Sequence, residues 1–469
     1  MKQTKKIISL FCIITLLLSL CTFSASANSV APYWEGTSSS GVVTKEGDVP
    51  IVVEGELLTF DLPTLPYAKY RDSETFLAYD SKVTAEYTFY NPTDMTITAT
   101  LFFPFDSHPD YSKASASEVL EKYGVYVNDE KIDARIRHTN YLNYDGLAVN
   151  ELIATLSDEF LQDDFYTPDL TVTKYSYEVV GHSDSSAYFS IGVDDVGTER
   201  KIVVYKGNLG GYINNSNGVF MSSDPNRGKT ETAYFYVFGK PLDVEPSVGW
   251  YKHSSTNSEM RIDGEFHYLG TETTTLREFI FSEYDAEKGI SEVDWYNACI
   301  TRIQHEEKTK GTASLIFPII FNAPLRWYEY TIVLAPGERI KNTVVSPMYP
   351  SIDAGHTPYE YHYTYLLSPA SCWANFGKLD IVINTPYEMS ECSIEGFEKT
   401  ETGYKLSMEG LPKDEDGYMD LHFTLLNDGN TPKEQPRAGI FKVIGNFFAN
   451  IFRSVVDFVI RLVNRIPKK

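Results

Sequence analysis

Positive charge is scarce in this sequence. Its 469 residues include 41 Lys and Arg against 64 Asp and Glu, which gives a net charge of −23. Nucleic-acid binding depends on basic side chains that neutralise phosphates, so this balance argues against a nucleic-acid partner. The 42% hydrophobic content supports a sizeable core and excludes global disorder. A chain of this length is expected to form about two or three domains.

Cysteine is also scarce. The chain has five, and two of them, Cys12 and Cys21, fall within an expected signal peptide. The others are Cys299, Cys372 and Cys392. Three is an odd number, and their spacing matches neither a redox motif nor a metal site. A strand predicted at 379–383 would hold the last two apart, although a disulfide needs Cα atoms within about 7 Å. We therefore expect free, buried thiols.

The first 27 residues predict export. A lysine-containing start is followed by the apolar run 7–20 and by small residues at 25–27, the order found in secretory signal peptides. We expect cleavage before Asn28, in the style of a Gram-positive bacterium, and a location at the extracellular face of the cell membrane or in the medium. A retained membrane helix and a lipoprotein at Cys21 are the alternatives, although Leu20 is not the small residue that a lipobox requires.

Strand patterns dominate the body of the chain. Apolar and polar residues alternate over 83–89 and again over 95–103, around the turn Asn91-Pro92-Thr93-Asp94, which predicts a β-hairpin. A second hairpin is predicted at 124–136, with its turn at Asn128-Asp129. Helical periodicity is rare, and the 33 Tyr and 27 Phe suit a sheet-rich protein. The predicted fold class is mainly β, with two antiparallel β-sandwich regions, minor helices and a C-terminal amphipathic helix.

This pattern predicts a linear domain organisation. The predicted segments are a signal peptide (1–27), an N-terminal β-sandwich region (28–205), a C-terminal β-rich region with one helix near 291–307 (206–430), a linker (431–437) and an amphipathic membrane-associating helix (438–466). Residues 28–48, rich in Ser, Gly and Thr, are predicted to be a flexible lead-in.

The C-terminal segment differs in kind from the body. From 438 to 466 the polar residues recur every three or four positions, and Phe, Val and Ile fill the rest, as in an amphipathic helix. Residues 438–469 carry a net charge of +5, whereas 28–437 carry −31. The residues predicted to associate with an anionic membrane surface are Lys442, Phe447, Phe448, Phe452, Arg453, Phe458, Arg461 and Arg465. Membrane spanning and docking on the acidic body are the alternatives.

Four tyrosines alternate along one predicted strand and therefore share one face. They are Tyr359, Tyr361, Tyr363 and Tyr365. If that face is exposed, it offers a platform on which a saccharide could stack. If it faces inward, it forms part of a sandwich core, which the polar residues Glu360, His362 and Thr364 on the opposite face favour.

Two sequences come close to nucleotide-binding or catalytic motifs. Gly228-Lys229-Thr230 ends like a phosphate-binding loop, but Ser223 stands where that loop needs its first glycine. The stretch 181–185 resembles a nucleophile elbow, but Ser185 replaces the final glycine of the tight turn. We therefore expect polar loops at both places.

Two further sequences come close to metal-binding motifs. His305-Glu306-Glu307 lacks the second histidine of a zinc helix, because Thr309 stands in its place, and a solvated helix end is expected. The stretch 413–417 has the acids and the glycine of a calcium loop without the remaining EF-hand ligands, which predicts an acidic turn. No cofactor is expected, apart from a weak possibility of calcium at that turn.

Several stretches carry a resemblance to a family. They are 50–58, 83–92, 101–105, 366–370, Trp373, 376–377 and 379–381. Together they resemble uncharacterised exported, β-sandwich-rich cell-surface proteins of clostridia-like Gram-positive bacteria. The resemblance implies a sandwich fold and a surface location, and it carries over no catalytic residue. The strand order around 83–105 is also similar to the sandwich module of inter-alpha-trypsin-inhibitor heavy chains.

These observations predict an exported, cell-surface-associated, non-enzymatic scaffold or interaction protein that its cationic C-terminal helix tethers. Its expected partners are an anionic membrane surface and an extracellular protein or glycan. A secreted carbohydrate-binding protein or glycoside hydrolase is one alternative. A membrane-active effector is the other.

Overall fold

The computed structural model describes residues 33–427, apart from 35–37, 46–48, 66–80, 106–122, 141–148, 195, 206–208, 214–217, 254–258, 311–312, 316–323, 356 and 416. The predicted signal peptide and the predicted amphipathic helix lie outside the described residues. The described chain is mainly β with few helices, as its alternating pattern predicts.

The strands have the following bounds. They are β1 (Tyr33–Trp34), β2 (Ser38–Ser40), β3 (Val43–Thr44), β4 (Val52–Asp61), β5 (Lys82–Tyr90), β6 (Ile97–Pro104), β7 (Gly124–Val127), β8 (Glu130–Ile132), β9 (Arg135–Asn140), β10 (Thr171–Val180), β11 (Ala187–Val193), β12 (Arg200–Tyr205), β13 (Gly210–Ile213), β14 (Val219–Ser223), β15 (Thr230–Gly239), β16 (Ser247–His253), β17 (Glu259–Ile262), β18 (Phe266–Thr275), β19 (Ala313–Leu315), β20 (Pro324–Leu334), β21 (Arg339–Pro347), β22 (Ser351–Asp353), β23 (Tyr359–Leu366), β24 (Asn375–Asn384), β25 (Glu388–Cys392), β26 (Glu398–Lys399), β27 (Gly403–Glu409) and β28 (Leu421–Asn427).

Three α-helices accompany these strands in the described chain. They are α1 (Val149–Thr155), α2 (Leu276–Phe281) and α3 (Glu292–Lys310), with short 3₁₀ turns at Ala286–Lys288 and Ser368–Cys372. The helix predicted near 291–307 is confirmed as α3. The Ser291 hydroxyl accepts a hydrogen bond from the Asp294 N–H at 3.1 Å, which satisfies a donor that the first turn of a helix leaves free.

The first sandwich packs one large sheet against two smaller ones. The large sheet has the strand order β26-β27-β24-β4-β5-β21-β7-β8. Facing it are the sheet β3-β6-β20-β9 and the sheet β1-β22-β23-β28-β25, in which β2 also pairs with β23. Their inner faces share one apolar core. Helix α1 covers the other side of the β3-β6-β20-β9 sheet, where Leu152 and Ile153 join Phe102 and Trp327 in a smaller cluster.

The second sandwich has three layers. The sheets β18-β10-β15-β12-β19 and β13-β14-β11-β16-β17 enclose a core that includes Phe189, Phe235 and Trp250. Helices α2 and α3 cover the outer face of the first of these sheets, and Trp295 of α3 lies in the cluster between them. The centre of this sheet still alternates, because Tyr175 and Tyr177 of β10 are buried in the core whereas Lys174 and Ser176 on the other face are only partly buried.

The two sandwiches are interleaved along the chain rather than consecutive. β4, β5 and β6 come before residue 205, yet they pair with β24, β21 and β20, which come after it. The predicted boundary at 205/206 also falls inside the second sandwich, because β12 ends at Tyr205 and pairs with β15. The first sandwich therefore combines 33–140 with 324–427, and the second is built from 171–315.

The two predicted hairpins have different outcomes. β7 and β8 pair across Asn128-Asp129, whose φ angles of 50° and 68° suit a tight hairpin turn, so the hairpin is confirmed as far as Ile132. The rest of its predicted second arm is wrong, because 135–136 belong to β9, which lies in another sheet. The hairpin predicted around Asn91 is wrong, because β5 and β6 lie in different sheets. The Asn91 side chain donates to the carbonyl oxygens of Met95, Leu334 and Ala335 at 2.7, 3.1 and 3.0 Å, and so fixes a crossing between layers.

One carboxyl group lies inside the first sandwich. A β-bulge between Val53 and Gly55 shifts the phase of β4, so that Glu56 faces inward with Leu58. Glu56 is 2% exposed, and burial raises its pKa to about 7, an effect that the nearby Tyr87 hydroxyl partly offsets. The core of this sandwich therefore holds a group that titrates near neutral pH.

Candidate functional site

The tyrosines of β23 form core rather than a surface platform. Tyr361, Tyr363 and Tyr365 are each at most 1% exposed. Tyr363 stacks on Phe423 with ring centroids 5.0 Å apart, and Tyr365 meets Phe60 edge-on at 5.8 Å. The interpretation of these residues as a saccharide platform is therefore wrong. The alternative, that they complete the sandwich core, is confirmed, and Tyr359 packs half-buried against the same core.

The stretches 181–185 and 228–230, which come close to catalytic and nucleotide-binding motifs, lie at turns between strands. Residues 181–186 connect β10 to β11, and the Asp184 carboxylate accepts from the Ser186 N–H at 3.0 Å within that turn. Gly228 has φ +66° and leads into β15, so a strand follows it where a phosphate-binding loop needs a helix. Both places are therefore turns at the ends of strands.

The acids at the end of α3 are paired rather than solvated. Glu306 is 2% exposed and forms an ion pair with Arg302 one turn earlier. Glu307 binds the Lys201 ammonium and accepts a hydrogen bond from the Tyr166 hydroxyl at 2.6 Å. The prediction of a solvated helix end is therefore wrong. The physical reason is that this end of α3 packs beside β12, which supplies Lys201.

The acidic stretch near Asp414 forms a turn, as predicted. The Asp414 carboxylate accepts from the Gly417 N–H at 3.0 Å, and Lys413 and Tyr418 form a bridge beside it. Across the described ranges of the chain, no group of three or more His, Cys, Asp or Glu is arranged to hold a metal ion.

The residues predicted to associate with a membrane, from Lys442 to Arg465, lie outside the described residues. Within the described part of the chain, no helix has both the length and the apolar character that crossing a bilayer requires.

The three cysteines of the described chain are free, as predicted. Cys299 is fully buried in α3, and burial raises the pKa of its thiol well above the ordinary value. Burial also raises the pKa of Cys372 and of Cys392, which are only partly exposed. A raised pKa keeps a thiol in its less reactive protonated form.

A cavity of about 930 Å³ opens where three separate segments of the first sandwich meet. We call it the Lys45 cavity. Its lining residues are Thr44, Lys45, Val49, Pro50, Ile153, Ala154, Leu156, Ser157, Asp158, Ser371, Cys372, Trp373 and Ala374. The first four come from the end of β3 and the residues after it. The next five come from the end of α1 and the residues after it, and the last four from the 3₁₀ turn and the residues after it.

One wall of the Lys45 cavity is apolar and firmly held. Val49, Ile153 and Leu156 are buried, and Trp373 is 5% exposed. The Trp373 ring lies 4.9 Å from that of Phe89, and its Nε1–H donates to the Val42 carbonyl oxygen at 3.1 Å. Because the indole is fixed from both sides, this wall is preformed rather than assembled on binding.

Two charged side chains line the rim, and one of them is already neutralised. Asp158 binds Arg135 at 2.6 Å and lies 3.5 Å from Arg137, and the hydrogen bond from Arg135 is the main reason that the pKa of Asp158 is lowered. The Lys45 ammonium donates to the Leu156 carbonyl oxygen at 3.4 Å and forms no ion pair within the described ranges. The rim therefore presents one cation able to bind an anionic group.

A second cavity, of about 610 Å³, lies between the loops 192–200 and 242–247 of the second sandwich. Its rim carries several carboxylates. Arg200 and Lys240 bind Asp243 at 2.7 and 3.1 Å, and the hydrogen bond from Arg200 is the main cause of its lowered pKa. Since these strongest charges are already paired, the Lys45 cavity is the better candidate binding site.

No pattern in the sequence predicts the Lys45 cavity. Residues 28–48 were expected to be a flexible lead-in, yet Ser39, Ser40, Val42 and Val43 are buried, because β2 pairs in parallel with β23 and β3 pairs with β6. Lys45 follows directly after that pairing. Only the spatial meeting of three distant segments creates the site.

Comparison with known proteins yields little. No protein-family model matches this chain, and no curated protein matches it. Among solved structures, it is similar to a protein of Legionella pneumophila described as a "putative nutrient binding protein", with a TM-score of 0.35 and 10% sequence identity. That alignment covers 84% of this chain and 72% of the other.

Proposed function

We propose that this chain is an exported, non-enzymatic binding protein held at the outer face of the cell membrane by its C-terminal segment. The observation that carries the binding role is the Lys45 cavity, which joins a preformed apolar wall to a cation that forms no ion pair with the described residues. Its volume of about 930 Å³ lies within the range typical of small-molecule sites. The departures of Ser185, Ser223 and Thr309 from catalytic and metal-binding motifs support a non-enzymatic role.

The cavity favours a small organic anion. An apolar body would pack against Trp373, Ile153 and Val49, while its anionic group would meet the Lys45 ammonium at the rim. Apolar contact provides most of the favourable free energy in such sites, and the few polar groups fix the orientation of the ligand.

We expect Lys45→Met to weaken the binding of such an anion about tenfold. The change removes the charge and keeps a long apolar side chain, and a charge-assisted hydrogen bond is worth about 1.5–3 kcal/mol. Isothermal titration of the full mature chain with a panel of aliphatic and aromatic carboxylates measures the effect. Lys405→Met is the matched control, because Lys405 lies on β27, outside the cavity, and is 58% exposed. Equal affinity of the two variants, or no binding by any member of the panel, would contradict the proposal.

The tether rests on the charge and pattern of the C-terminal segment. The compact unit that contains the sheets ends at Leu426, before this segment begins. Residues 438–469 carry a net charge of +5 and a broad apolar face, so an anionic lipid surface is their natural partner. Spanning would place Arg453 and Asp457 near the bilayer centre at a cost of about 2.5–3.5 kcal/mol each. We therefore propose that the segment lies in the membrane interface.

Flotation with lipid vesicles tests the tether. We expect the full mature chain to float with anionic vesicles at low salt and less at high salt. Arg453→Glu/Arg461→Glu should lower this partition at least about 100-fold, because each basic residue near an anionic surface contributes about 1 kcal/mol. Lys405→Glu/Lys413→Glu, in the body, makes the same change in net charge and should float like the parent.

Three other results would change the assignment. Equal flotation of the parent and the Arg453→Glu/Arg461→Glu variant on anionic and neutral lipids would contradict interfacial anchoring. Release of a dye trapped in the vesicles would favour the membrane-active effector. Selective binding to a glycan array would favour a carbohydrate-binding protein, for which the buried tyrosines of β23 no longer offer support.

A further inference from the structure

The second sandwich leaves one long strand open at its edge. β18 pairs with β10 on one side and with no other strand of the described chain. Six of its ten residues are exposed, namely those at 267–269 and 271–273. An edge strand presents unpaired backbone N–H and C=O groups, which another extended chain can use for pairing.

A bulge divides this edge into two parts. Gly270 pairs with Ser176, but the next pair joins Tyr268 to Tyr177, so Leu269 is the extra residue. Gly270 has φ +110°, a conformation that glycine tolerates readily. Beyond the bulge, residues 271–275 run in unbroken register with 171–175 of β10. The Thr275 N–H already donates to the Glu278 carboxylate at 3.0 Å, because Thr275 caps α2, so residues 271–274 are the stretch regular enough to accept another strand.

The regular part of β18 lacks the residues that usually block edge pairing. Its sequence, Thr-Glu-Thr-Thr, contains no Pro and no Lys, and threonine favours strands. Next to it, Tyr268 and Leu269 are each 56% exposed. These two side chains lie at one end of the regular part, where they offer apolar contact area to an added strand.

The charge around this edge selects the partner. Glu272 is exposed to 78% and Glu265 to 67%, and their contacts with Lys174 and His267, each at 3.4 Å, are long and open to solvent, so they neutralise little of the charge. The body that carries them has a net charge of −31 over residues 28–437. A second copy of this chain would bring the same negative charge to the same edge, and like charges facing each other are unfavourable. A segment rich in Lys or Arg would instead be attracted by the same carboxylates.

We propose that residues 271–274 bind an extended basic peptide segment of another protein, which adds to the sheet as a further strand beside β18. Backbone hydrogen bonds to the open edge would provide affinity. Glu272 and Glu265 would select basic side chains, and Tyr268 and Leu269 would pack against an apolar residue of the segment. This interaction surface lies in the second sandwich and is independent of the Lys45 cavity.

The test uses the full mature chain and a short fluorescein-labelled peptide in which Lys alternates with Val and Thr. Fluorescence anisotropy should show saturable binding, and a peptide with Glu in place of Lys should not bind. Two further peptides carry N-methyl groups, each on one of the two sets of alternate amides, which removes backbone donors and keeps the charge. We expect the peptide whose methylated amides face β18 to bind about tenfold more weakly.

A charge reversal on the edge completes the test. Glu272→Lys should weaken binding about tenfold, because it repels the peptide and introduces the residue that protects natural edges. Glu398→Lys is the matched control, since Glu398 lies on the edge strand β26 of the first sandwich and is 71% exposed. Undiminished binding of both methylated peptides, equal losses in the two variants, or a dimer that only Glu272→Lys disrupts would overturn the proposal.

Discussion

Replacing Arg137 with methionine should lower the free energy of unfolding by about 3–5 kcal/mol. Arg137 lies on β9 of the first sandwich and is fully buried. Its guanidinium binds Asp294 of α3, where Nε and Nη2 both lie 2.9 Å from the same carboxylate oxygen. The third nitrogen, Nη1, binds Glu329 of β20 at 2.7 Å. Nη2 also donates to the Ser157 carbonyl oxygen at 2.6 Å.

The large expected loss comes from what the substitution leaves behind. Asp294 is 1% exposed, so without Arg137 its charge would be buried with only the His138 N–H as a donor on the β9 side, at 3.0 Å. Removing one partner of a buried ion pair costs more than the pair contributes, because the remaining charge has lost both water and its counter-ion. Urea unfolding followed by circular dichroism measures the change.

Arg135 supplies the control. It lies two residues away on the same strand, binds Asp158 at 2.6 Å, and is 49% exposed. Arg135→Met should therefore cost less than about 1 kcal/mol, the range of exposed ion pairs. The double variant Arg137→Met/Asp294→Leu should recover part of the loss, because it removes the stranded carboxylate. If Arg137→Met were as mild as Arg135→Met, the buried pair could not be what holds α3 against β9.

Replacing Glu56 with glutamine should stabilise the protein at pH 8 by up to about 3 kcal/mol and have little effect at pH 4. Burial raises the pKa of Glu56 from an ordinary value of 4.5 to about 7. Glu56 lies beside Tyr87, whose hydroxyl oxygen already accepts from the Val42 N–H at 3.1 Å. The folded core therefore favours the protonated, uncharged carboxyl.

The direction of the pH dependence follows from this shift. Below pH 4.5 the carboxyl is protonated in both states, and the stability associated with that proton is fully present. Between pH 4.5 and about 7 the unfolded chain loses the proton while the folded chain keeps it, so stability falls as the pH rises. Above about 7 the whole contribution is lost. Glutamine has no proton to lose and should not show this decline.

Glu54→Gln is the matched control for this prediction. Glu54 lies two residues earlier on β4, is partly exposed, and binds Arg339 with both oxygens at 2.7 and 2.8 Å. Its substitution should leave the decline between pH 4.5 and 7 in place. Thermal unfolding at intervals across this range compares the three proteins. A parent protein whose stability does not fall over that interval would show that Glu56 is ionised in the folded state at no cost.

The sequence predicted which residues face inward better than it predicted which strands are neighbours. Alternation along 83–89 correctly placed Val83, Ala85, Tyr87 and Phe89 in a core. Alternation does not specify which strand lies beside a given strand. The strands on either side of Asn91, β5 and β6, belong to different sheets. Where a turn has a specific backbone requirement, as at Asn128-Asp129, the pairing was predictable.

The candidate site was beyond prediction for a related reason. Its walls come from residues 44–50, 153–158 and 371–374, and no local pattern links these segments. The buried charges were hidden as well. Arg137 and Glu56 look like ordinary polar positions of amphipathic strands, and a bulge that sequence alternation cannot reveal turned Glu56 inward.

The interleaved order of the two sandwiches also governs how the protein can be made. A chain synthesised from its N-terminus delivers β4 and β5 long before β21 and β24, their neighbours in the large sheet. The second sandwich, whose strands are close together in sequence, can form in the meantime, whereas closing long loops makes the first one slow. Until β21 and β24 have emerged, β4 and β5 expose apolar surface and open edges, so the growing chain depends on protection from aggregation and proteolysis.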